Sequence, residues 1–189
     1  VTVAANNGAD VVNISFGGCW PATGIWGMPA LCDSMANAIG AGGGGGVQRI
    51  LVAAGGNTTN LFCNFGSAGN RTRFFPAACS TLTTLNATRR ALIRDGLIAV
   101  SNTRLDDSLH PSTLRGSHID ISAPGTSILT TTPPSTYANT TGSSQAAAMT
   151  SGAAAVLLGK GVLKADVKAR LLETAETQRP DGSPISSLG

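Results

Sequence analysis

The chain has 189 residues, of which 42% are hydrophobic and only 12% charged, with 24 glycines and a net charge of +3. This length suits a single domain over residues 1–189, and the small, scattered charge argues against a nucleic-acid-binding protein. No run approaches the roughly 18 apolar residues of a membrane-spanning helix, and the first residues lack the basic head and apolar core of a signal peptide. We interpret the chain as a piece of a longer protein.

The first half of the sequence contains two short apolar runs of the kind that form buried strands. The first covers residues 10–16 and ends at a Gly-Gly pair, and the second covers residues 49–54 and leads into Gly55, Gly56 and Asn57. Between them, residues 28–41 carry apolar side chains at helical spacing, and the glycines at 42–46 end that helix. Residues 58–80 are predicted to form a loop.

The second half continues the alternation of helices and strands. It has a helix over 82–94, strands at 97–101 and 119–123, a helix from Ser144 to about residue 159, and an amphipathic helix over 164–176. Strands that are apolar on both faces and alternate with helices indicate an α/β fold, with a mostly parallel sheet flanked by helices.

Three segments are expected to meet at the carboxyl edge of this sheet, where α/β proteins place their sites. They are the end of the first strand near Phe16, the turn at Asn57, and the helix start at Ser144. A serine at a helix start often serves only as a cap. However, the unpaired N–H groups and the dipole of that helix end also stabilise an oxyanion. The convergence of the three segments favours a catalytic site.

Four cysteines and several glycosylation sequons bear on the cellular compartment. Cys19, Cys32, Cys63 and Cys79 are too widely spaced for a zinc knuckle. Two disulfides in a secreted protein would fit, and pairing Cys19 with Cys32 and Cys63 with Cys79 would close the shortest loops. Free buried thiols are the alternative. The sequons, which support secretion weakly, begin at Asn13, Asn57, Asn70, Asn86 and Asn139.

Four blocks of the sequence, in order, resemble those of subtilisin-like serine proteases. They are GADVVNISFGG at 8–18, LVAAGGN at 51–57, IDISAPG at 119–125 and GSS at 142–144. The resemblance covers residues 3 to about 176. It implies a partial subtilisin-like fold that lacks its amino-terminal part, and a serine endopeptidase activity.

By this resemblance Ser144 is the nucleophile, and Asn57 donates its side-chain amide to the oxyanion together with the Ser144 N–H. Ser15, Phe16 and Gly17 are implied to bind an extended polypeptide substrate by strand addition. The pocket for the residue before the cleaved bond is expected to be roomy and apolar, with walls formed by Ala54, Gly55 and Gly56.

Two departures from the family pattern stand out. The family's Pro and His after the nucleophile are replaced in the segment QAAAMTSG at 145–152. The catalytic Asp and His, which precede these blocks in the family, have no counterpart here, because His110 and His118 lie outside the family's histidine motif. We expect a missing amino-terminal part, from the same precursor or a separate chain, to supply both.

Two alternatives remain open. One is a promiscuous ester hydrolase that uses His110 or His118 as an improvised base. The other is a catalytically inactive homologue that binds peptides or acts as a scaffold. No cofactor is required by any of these functions, no metal ligands are assigned, and calcium is considered only as a structural ion.

Overall fold

The computed structural model describes residues 1–21, 28–41, 46–58 and 72–177. Its central element is a sheet of four parallel strands in the order β1-β3-β5-β6, formed by Val11–Ile14, Ile50–Ala54, Leu97–Thr103 and Ile121–Pro124. Every residue of β3 and β5 is buried. Both faces of the sheet centre are therefore covered, as the apolar runs predicted.

Helices cover the two faces of this sheet. Helix α4, Ser143–Gly159, packs across all four strands, and α5, Val167–Glu173, packs on α4. Helices α2, Met28–Gly40, and α3, Ala87–Gly96, pack against each other and against β3 and β5. A short helix α1, Thr2–Asn6, contacts α2. The α/β fold with a parallel sheet flanked by helices is thus confirmed.

Two small antiparallel sheets were not predicted. Strands β2, Gly18–Pro21, and β4, Thr72–Phe75, pair with each other, and β7, Ile128–Thr132, forms a hairpin with β8, Thr136–Thr140. Residues 72–75 belong to the segment expected to be a loop. That segment contains no long apolar run, and its partner strand lies about 50 residues earlier in the chain. The local sequence therefore gives little indication that residues 72–75 form a strand.

Several element boundaries also differ from the prediction. The helix expected over 82–94 begins at Ala87, where the Asn86 side chain accepts a hydrogen bond from the Arg89 N–H and caps it. The helix expected over 164–176 is split into a 3-10 turn, Lys164–Asp166, and α5. A further 3-10 helix spans Ala77–Thr81.

Some predictions concern positions outside the described residues. These are the glycine stop at 42–45, Asn70, and the irregular end after residue 181.

The disulfide in the described part of the chain joins Cys32 to Cys79, with the two Cα atoms 5.4 Å apart. This contradicts both short-loop pairings. The bond links α2 to the 3-10 helix that follows β4, so it closes a loop of 47 residues between elements that are neighbours only in space. Cys19 is also disulfide-bonded, and Cys63 lies outside the described residues. Free buried thiols are excluded for Cys19, Cys32 and Cys79.

No helix in the described ranges combines the length and the apolar character needed to cross a membrane.

Candidate active site

The turn before α4 lies at the carboxyl edge of the sheet, beside the end of β6. The Gly142 N–H donates to the carbonyl of Gly125, one residue beyond β6, at 2.9 Å. Both glycines are buried. They cross closely, since a Cβ at Gly125 would lie 2.6 Å from the Gly142 carbonyl oxygen. This close crossing fixes the direction in which α4 begins and, with it, the position of Ser143 and Ser144.

Asn57 and the start of α4 are connected by reciprocal hydrogen bonds. The Ser143 N–H donates to Oδ1 of Asn57 at 3.1 Å, and the Gly56 N–H donates to Oγ of Ser143 at 3.0 Å. The preceding N–H of Gly142 is already paired with Gly125, so Asn57 satisfies one of the helix-start donors that lack an intrahelical partner. The Ser143 side chain is buried and serves this connection rather than solvent.

The backbone around Asn57 is held by a second, independent contact. Residues 112–114 run antiparallel beside residues 56–58, with Thr58 N–H donating to the Ser112 carbonyl at 2.7 Å and Leu114 N–H to the Gly56 carbonyl at 3.0 Å. Gly56 has φ +101°, a conformation that favours glycine. The residues before and after Asn57 are therefore both hydrogen-bonded to the 112–114 segment, and this holds the backbone from which the Asn57 side chain extends.

With its oxygen bound to the Ser143 N–H, the Asn57 amide has its nitrogen beside Gly142. The Nδ2 atom lies 3.0 Å from the point where a Gly142 Cβ would stand, and Oε1 of Gln145 lies 3.2 Å from the same point. Among the described residues, neither Nδ2 of Asn57 nor the Ser144 N–H donates to an acceptor. Two N–H donors near the nucleophile position are the arrangement that an oxyanion requires.

Ser144 is half-buried and makes a reciprocal pair of hydrogen bonds with Ser15. Its Oγ donates to the Ser15 carbonyl at 3.1 Å, and Oγ of Ser15 donates to the Ser144 carbonyl at 3.0 Å. The structure thus brings the expected nucleophile together with the expected substrate strand. A backbone carbonyl accepts a hydrogen bond but is too weakly basic to remove the proton, so this Ser144 is a neutral hydroxyl.

Neither histidine of the chain is hydrogen-bonded to Ser144. Nδ1 of His110 is 2.8 Å from Oγ of Ser112 and accepts from the Ser112 N–H at 3.2 Å. His118 is buried, and within the part of the chain that the structure describes its Nε2 has no hydrogen-bond partner. Burial lowers the pKa of His118 below its ordinary value of 6.5, while the Gly55 carbonyl opposes that shift.

The expected substrate strand is accessible. Ser15, Phe16 and Gly17 follow β1, and Phe16 is exposed to 71%. Ala54 and Gly55 are buried at the end of β3, where the Gly55 N–H donates to the Val100 carbonyl. Because β1 and β3 are paired, these two segments leave the sheet side by side.

The expectation of a roomy pocket is wrong. A Cβ on Gly17 would lie 2.6 Å from the ring of Phe74, and a Cβ on Gly56 would lie 2.5 Å from the same ring and 2.6 Å from Leu114. The side chain of Phe74 therefore fills the space between the two glycines. Phe74 was not predicted as a site residue because it lies in the segment expected to be a loop, although the two aromatic residues before Pro76 indicate that this segment is buried.

No group of three or more His, Cys, Asp or Glu side chains is arranged to hold a metal ion within the described ranges.

Comparison with known proteins gives one family and a consistent fold. The family model described as "Subtilase family" matches residues 1–188. Thermitase of Thermoactinomyces vulgaris is 30% identical over 93% of this chain and 50% of its own length. Subtilisin DY of Bacillus licheniformis is 28% identical over 91% of this chain and 52% of its own length. The chain thus spans about half the length of these relatives.

Two solved structures share the fold at low sequence identity. A cold-adapted subtilisin-like serine proteinase matches with a TM-score of 0.67 and 22% identity, over 96% of this chain and 56% of that one. The prenylagaramide maturation protease PagA matches with a TM-score of 0.65 and 21% identity, over 99% of this chain and 58% of that one.

Proposed function

The chain belongs to the subtilase family, and from this premise we propose that it supplies the nucleophile and the oxyanion donors of a serine endopeptidase. One observation carries the proposal: the Ser143 N–H binds Oδ1 of Asn57 and so ties its amide to the start of α4, which leaves Nδ2 beside Gly142, two residues before Ser144. Ser144 Oγ attacks the peptide carbonyl, and the resulting oxyanion accepts hydrogen bonds from Nδ2 of Asn57 and the Ser144 N–H.

The substrate is a polypeptide in extended conformation. The backbone of Ser15 to Gly17 continues from β1 at the open side of the sheet, and the exposed Phe16 leaves that backbone accessible. An extended peptide can add to such a segment through main-chain hydrogen bonds, which places its carbonyl next to Ser144.

The base must come from outside the described residues. Peptide hydrolysis requires a group that takes the Ser144 proton and returns it to the leaving amine. The hydrogen bond from Ser144 to the Ser15 carbonyl cannot do this. We assign the task to a His, oriented by an Asp, in an amino-terminal part from the same precursor or a separate chain.

An unpartnered surface next to Ser144 supports this assignment. Helix α4 has no charged residue, yet one of its faces is exposed, and Met149 and Val156 on it are 51% and 62% accessible. A helix that is apolar all round is normally buried on every side. Strand β1, at the edge of the sheet and in contact with α4, leaves its other edge unpaired among the described strands. The face formed by Ala148, Met149, Gly152, Ala155 and Val156, together with this edge, suits a further strand and helix.

The test compares the chain alone with the chain joined by its amino-terminal part. Alone, we expect little peptide hydrolysis and little labelling of Ser144 by a fluorophosphonate. With the amino-terminal part, we expect peptide hydrolysis that Ser144→Ala abolishes. Rapid labelling of the isolated chain would contradict the requirement for an external base.

A charge on the α4 face tests where the amino-terminal part docks. Ala155→Glu lies about 16 Å along the helix from Ser144 and is exposed in the chain alone, so it should leave the fold intact but prevent assembly and activity. Leu105→Glu, which changes another fully exposed apolar residue, is the matched control. Equal activity of both variants would reject this docking face.

The same assays separate the other two functions. If the joined parts hydrolyse no substrate, the chain is a binding or scaffold protein. If activated esters are hydrolysed, peptides are not, and Ser144→Ala removes the ester activity, the chain is an ester hydrolase.

The Cys32–Cys79 disulfide supports a secreted location, because disulfides persist in oxidising compartments. Calcium remains a proposal as a structural ion only.

A further inference from the structure

The ring of Phe74 occupies the space between the substrate strand and the oxyanion segment. It approaches Gly17 from one side and Gly56 from the other, so that a Cβ on either glycine would lie 2.5–2.6 Å from ring atoms. Leu114 closes the same space beside Gly56, and Ile119 packs directly on Gly55. In a fold where these segments flank the residue before the cleaved bond, that residue finds an aromatic ring in place of a pocket.

Phe74 is held in this position by the core. Its side chain is 3% exposed, and it belongs to the main hydrophobic cluster. Strand β4 places it opposite Cys19 of β2, and Cys19 is disulfide-bonded. Rotation of the ring out of the pocket would expose it to water and leave a void in packed surroundings. Phe74 is therefore a fixed wall and not a swinging lid.

The adjacent residue, Phe75, does not fill the space between Gly17 and Gly56. Phe75 points to the other side of the strand, where it lines an open apolar cavity of about 290 Å³ together with Phe16, Trp20, Leu31 and Met35. The fold therefore has room for a large apolar side chain on one side of the Phe16–Gly18 segment and none between Gly17 and Gly56.

We propose that Phe74 is a specificity-determining residue that restricts the residue before the cleaved bond to glycine or alanine. This inference rests on the proposed peptidase function and names its substrate class. A side chain as large as Leu or Phe would need the volume that the ring already fills. Overfilling of a packed site is unfavourable, and glycine and alanine are the residues that demand the least of this volume.

The experiment measures kcat/KM of the assembled enzyme on peptides that differ only in the residue before the cleaved bond: Gly, Ala, Leu or Phe. The unmodified enzyme should prefer Ala over Phe by roughly 100-fold. Phe74→Ala should reduce or reverse that ratio, and Phe74→Leu, which keeps more of the packing, should give an intermediate value. Phe75→Ala is the control, because it removes an equal volume from the other cavity and should leave the preference for Ala unchanged.

A binding measurement on the unassembled chain separates this proposal from the proposed function. An apolar cavity the size of a benzene ring stays dry and binds benzene. Benzene should shift the amide NMR signal of Gly56 in Phe74→Ala but not in the unmodified chain or in Phe75→Ala. Gly17 is not used as a reporter, because it also lines the cavity beside Phe75. Benzene binding at Gly56 in the unmodified chain, or efficient cleavage after Phe by the unmodified enzyme, would overturn the proposal. Absence of all hydrolysis with the expected benzene result rejects the peptidase and leaves the filled pocket standing.

Discussion

The N–H of Ser143 donates a hydrogen bond to Oδ1 of Asn57 at 3.1 Å, across 86 positions of sequence. This bond fixes the orientation of the Asn57 amide. Since the oxygen accepts from the helix start, the nitrogen is the atom left to donate to another group, and we propose a substrate oxyanion as its acceptor. The same contact thus caps the start of α4 and orients the Asn57 amide. Substitutions at Asn57 can separate the capping role from the donor role.

Asn57→Asp should separate them. An aspartate keeps an oxygen that accepts from the Ser143 N–H but replaces the donor nitrogen with a second, negatively charged oxygen. In the assembled enzyme we expect kcat to fall by the value known for loss of one such donor in a subtilisin, about 100- to 1,000-fold. Steady-state kinetics on a peptide substrate measure this loss.

Asn57→Ala is the companion variant, because it removes the contact to Ser143 as well as the donor. It should lose similar activity and also some stability, about 1 kcal/mol, as expected for an unsatisfied helix-start N–H. If Asn57→Asp retained full activity, Asn57 would not be an oxyanion donor.

Gly142 tests the position of the Asn57 amide from the opposite side. Its backbone is extended, with φ 164°, so an alanine there meets crowding rather than backbone strain. A Cβ would stand 3.0 Å from Nδ2 of Asn57 and 3.2 Å from Oε1 of Gln145. Gly142→Ala should displace the amide and lower kcat by roughly 100-fold, since small misplacements at an active site have effects of this order.

Gly152→Ala is the matched control on the same helix. No atom of the described residues lies within 4 Å of a Cβ at Gly152, so the variant should stabilise the isolated chain by about 0.5–1 kcal/mol. Urea unfolding of the isolated chain compares the two variants. Equal kinetics for Gly142→Ala and the unmodified enzyme would show that the amide does not depend on this contact.

The elements that were predicted from the sequence are those encoded by local patterns. The apolar runs around Val52 and Ile98 became the buried strands β3 and β5, because a strand covered on both faces favours a continuous apolar run. The run around Val12 became β1, in which Asn13 is exposed. The glycine turn and small-residue run after Gly142 became α4 for the same local reason.

The features that were missed depend on pairing between distant residues. Cys32 bonds to Cys79 rather than to a nearer cysteine because α2 packs beside the 3-10 helix, a contact with no local signature. Phe74 lies opposite Cys19 in a two-stranded sheet of four residues per strand, too short for a periodic pattern. The pocket was predicted from glycines alone, and glycine also permits the close approach of another side chain, as Phe74 shows.

Lys168 stabilises the junction between α5 and the sheet. Its Nζ donates to the carbonyls of Arg94 and Leu97 at 2.8 and 2.7 Å and pairs with Oδ1 of Asp120 at 2.8 Å. The other Asp120 oxygen accepts from the Ala99 N–H. Lys168→Met would leave a largely buried carboxylate and two carbonyls without their donor, so we expect a loss of about 3 kcal/mol in the free energy of unfolding.

The control for Lys168 is Lys164, four residues earlier. Lys164 pairs with Asp10 at the surface, with side-chain exposures of 36% and 57%. Lys164→Met should change the free energy of unfolding by less than about 1 kcal/mol. Urea denaturation of both variants at neutral pH gives the comparison, and similar losses for the two would show that burial of Lys168 does not strengthen its contacts.

His118 should make the folded chain sensitive to mild acid. Burial lowers its pKa below the ordinary value of 6.5, and the charge of Arg73 acts in the same direction, while the Gly55 carbonyl and Asp120 oppose it. The folded pKa therefore lies below that of the unfolded chain. Above pH 6.5 both states are neutral at this site. As the pH falls below 6.5, the unfolded chain binds a proton that the folded chain excludes, so stability decreases toward the folded pKa.

The measurement is the free energy of unfolding in urea between pH 8 and pH 5, for the unmodified chain and for His118→Gln. A single histidine of this kind contributes a slope of at most about 1.4 kcal/mol per pH unit. The variant should lose that slope below pH 6.5, and the carboxylates that titrate in both proteins cancel in the difference. Because His118 lies beside Gly55, acid should also loosen the segment that carries Asn57. Parallel pH curves for the two proteins would show that protonation of His118 does not oppose folding.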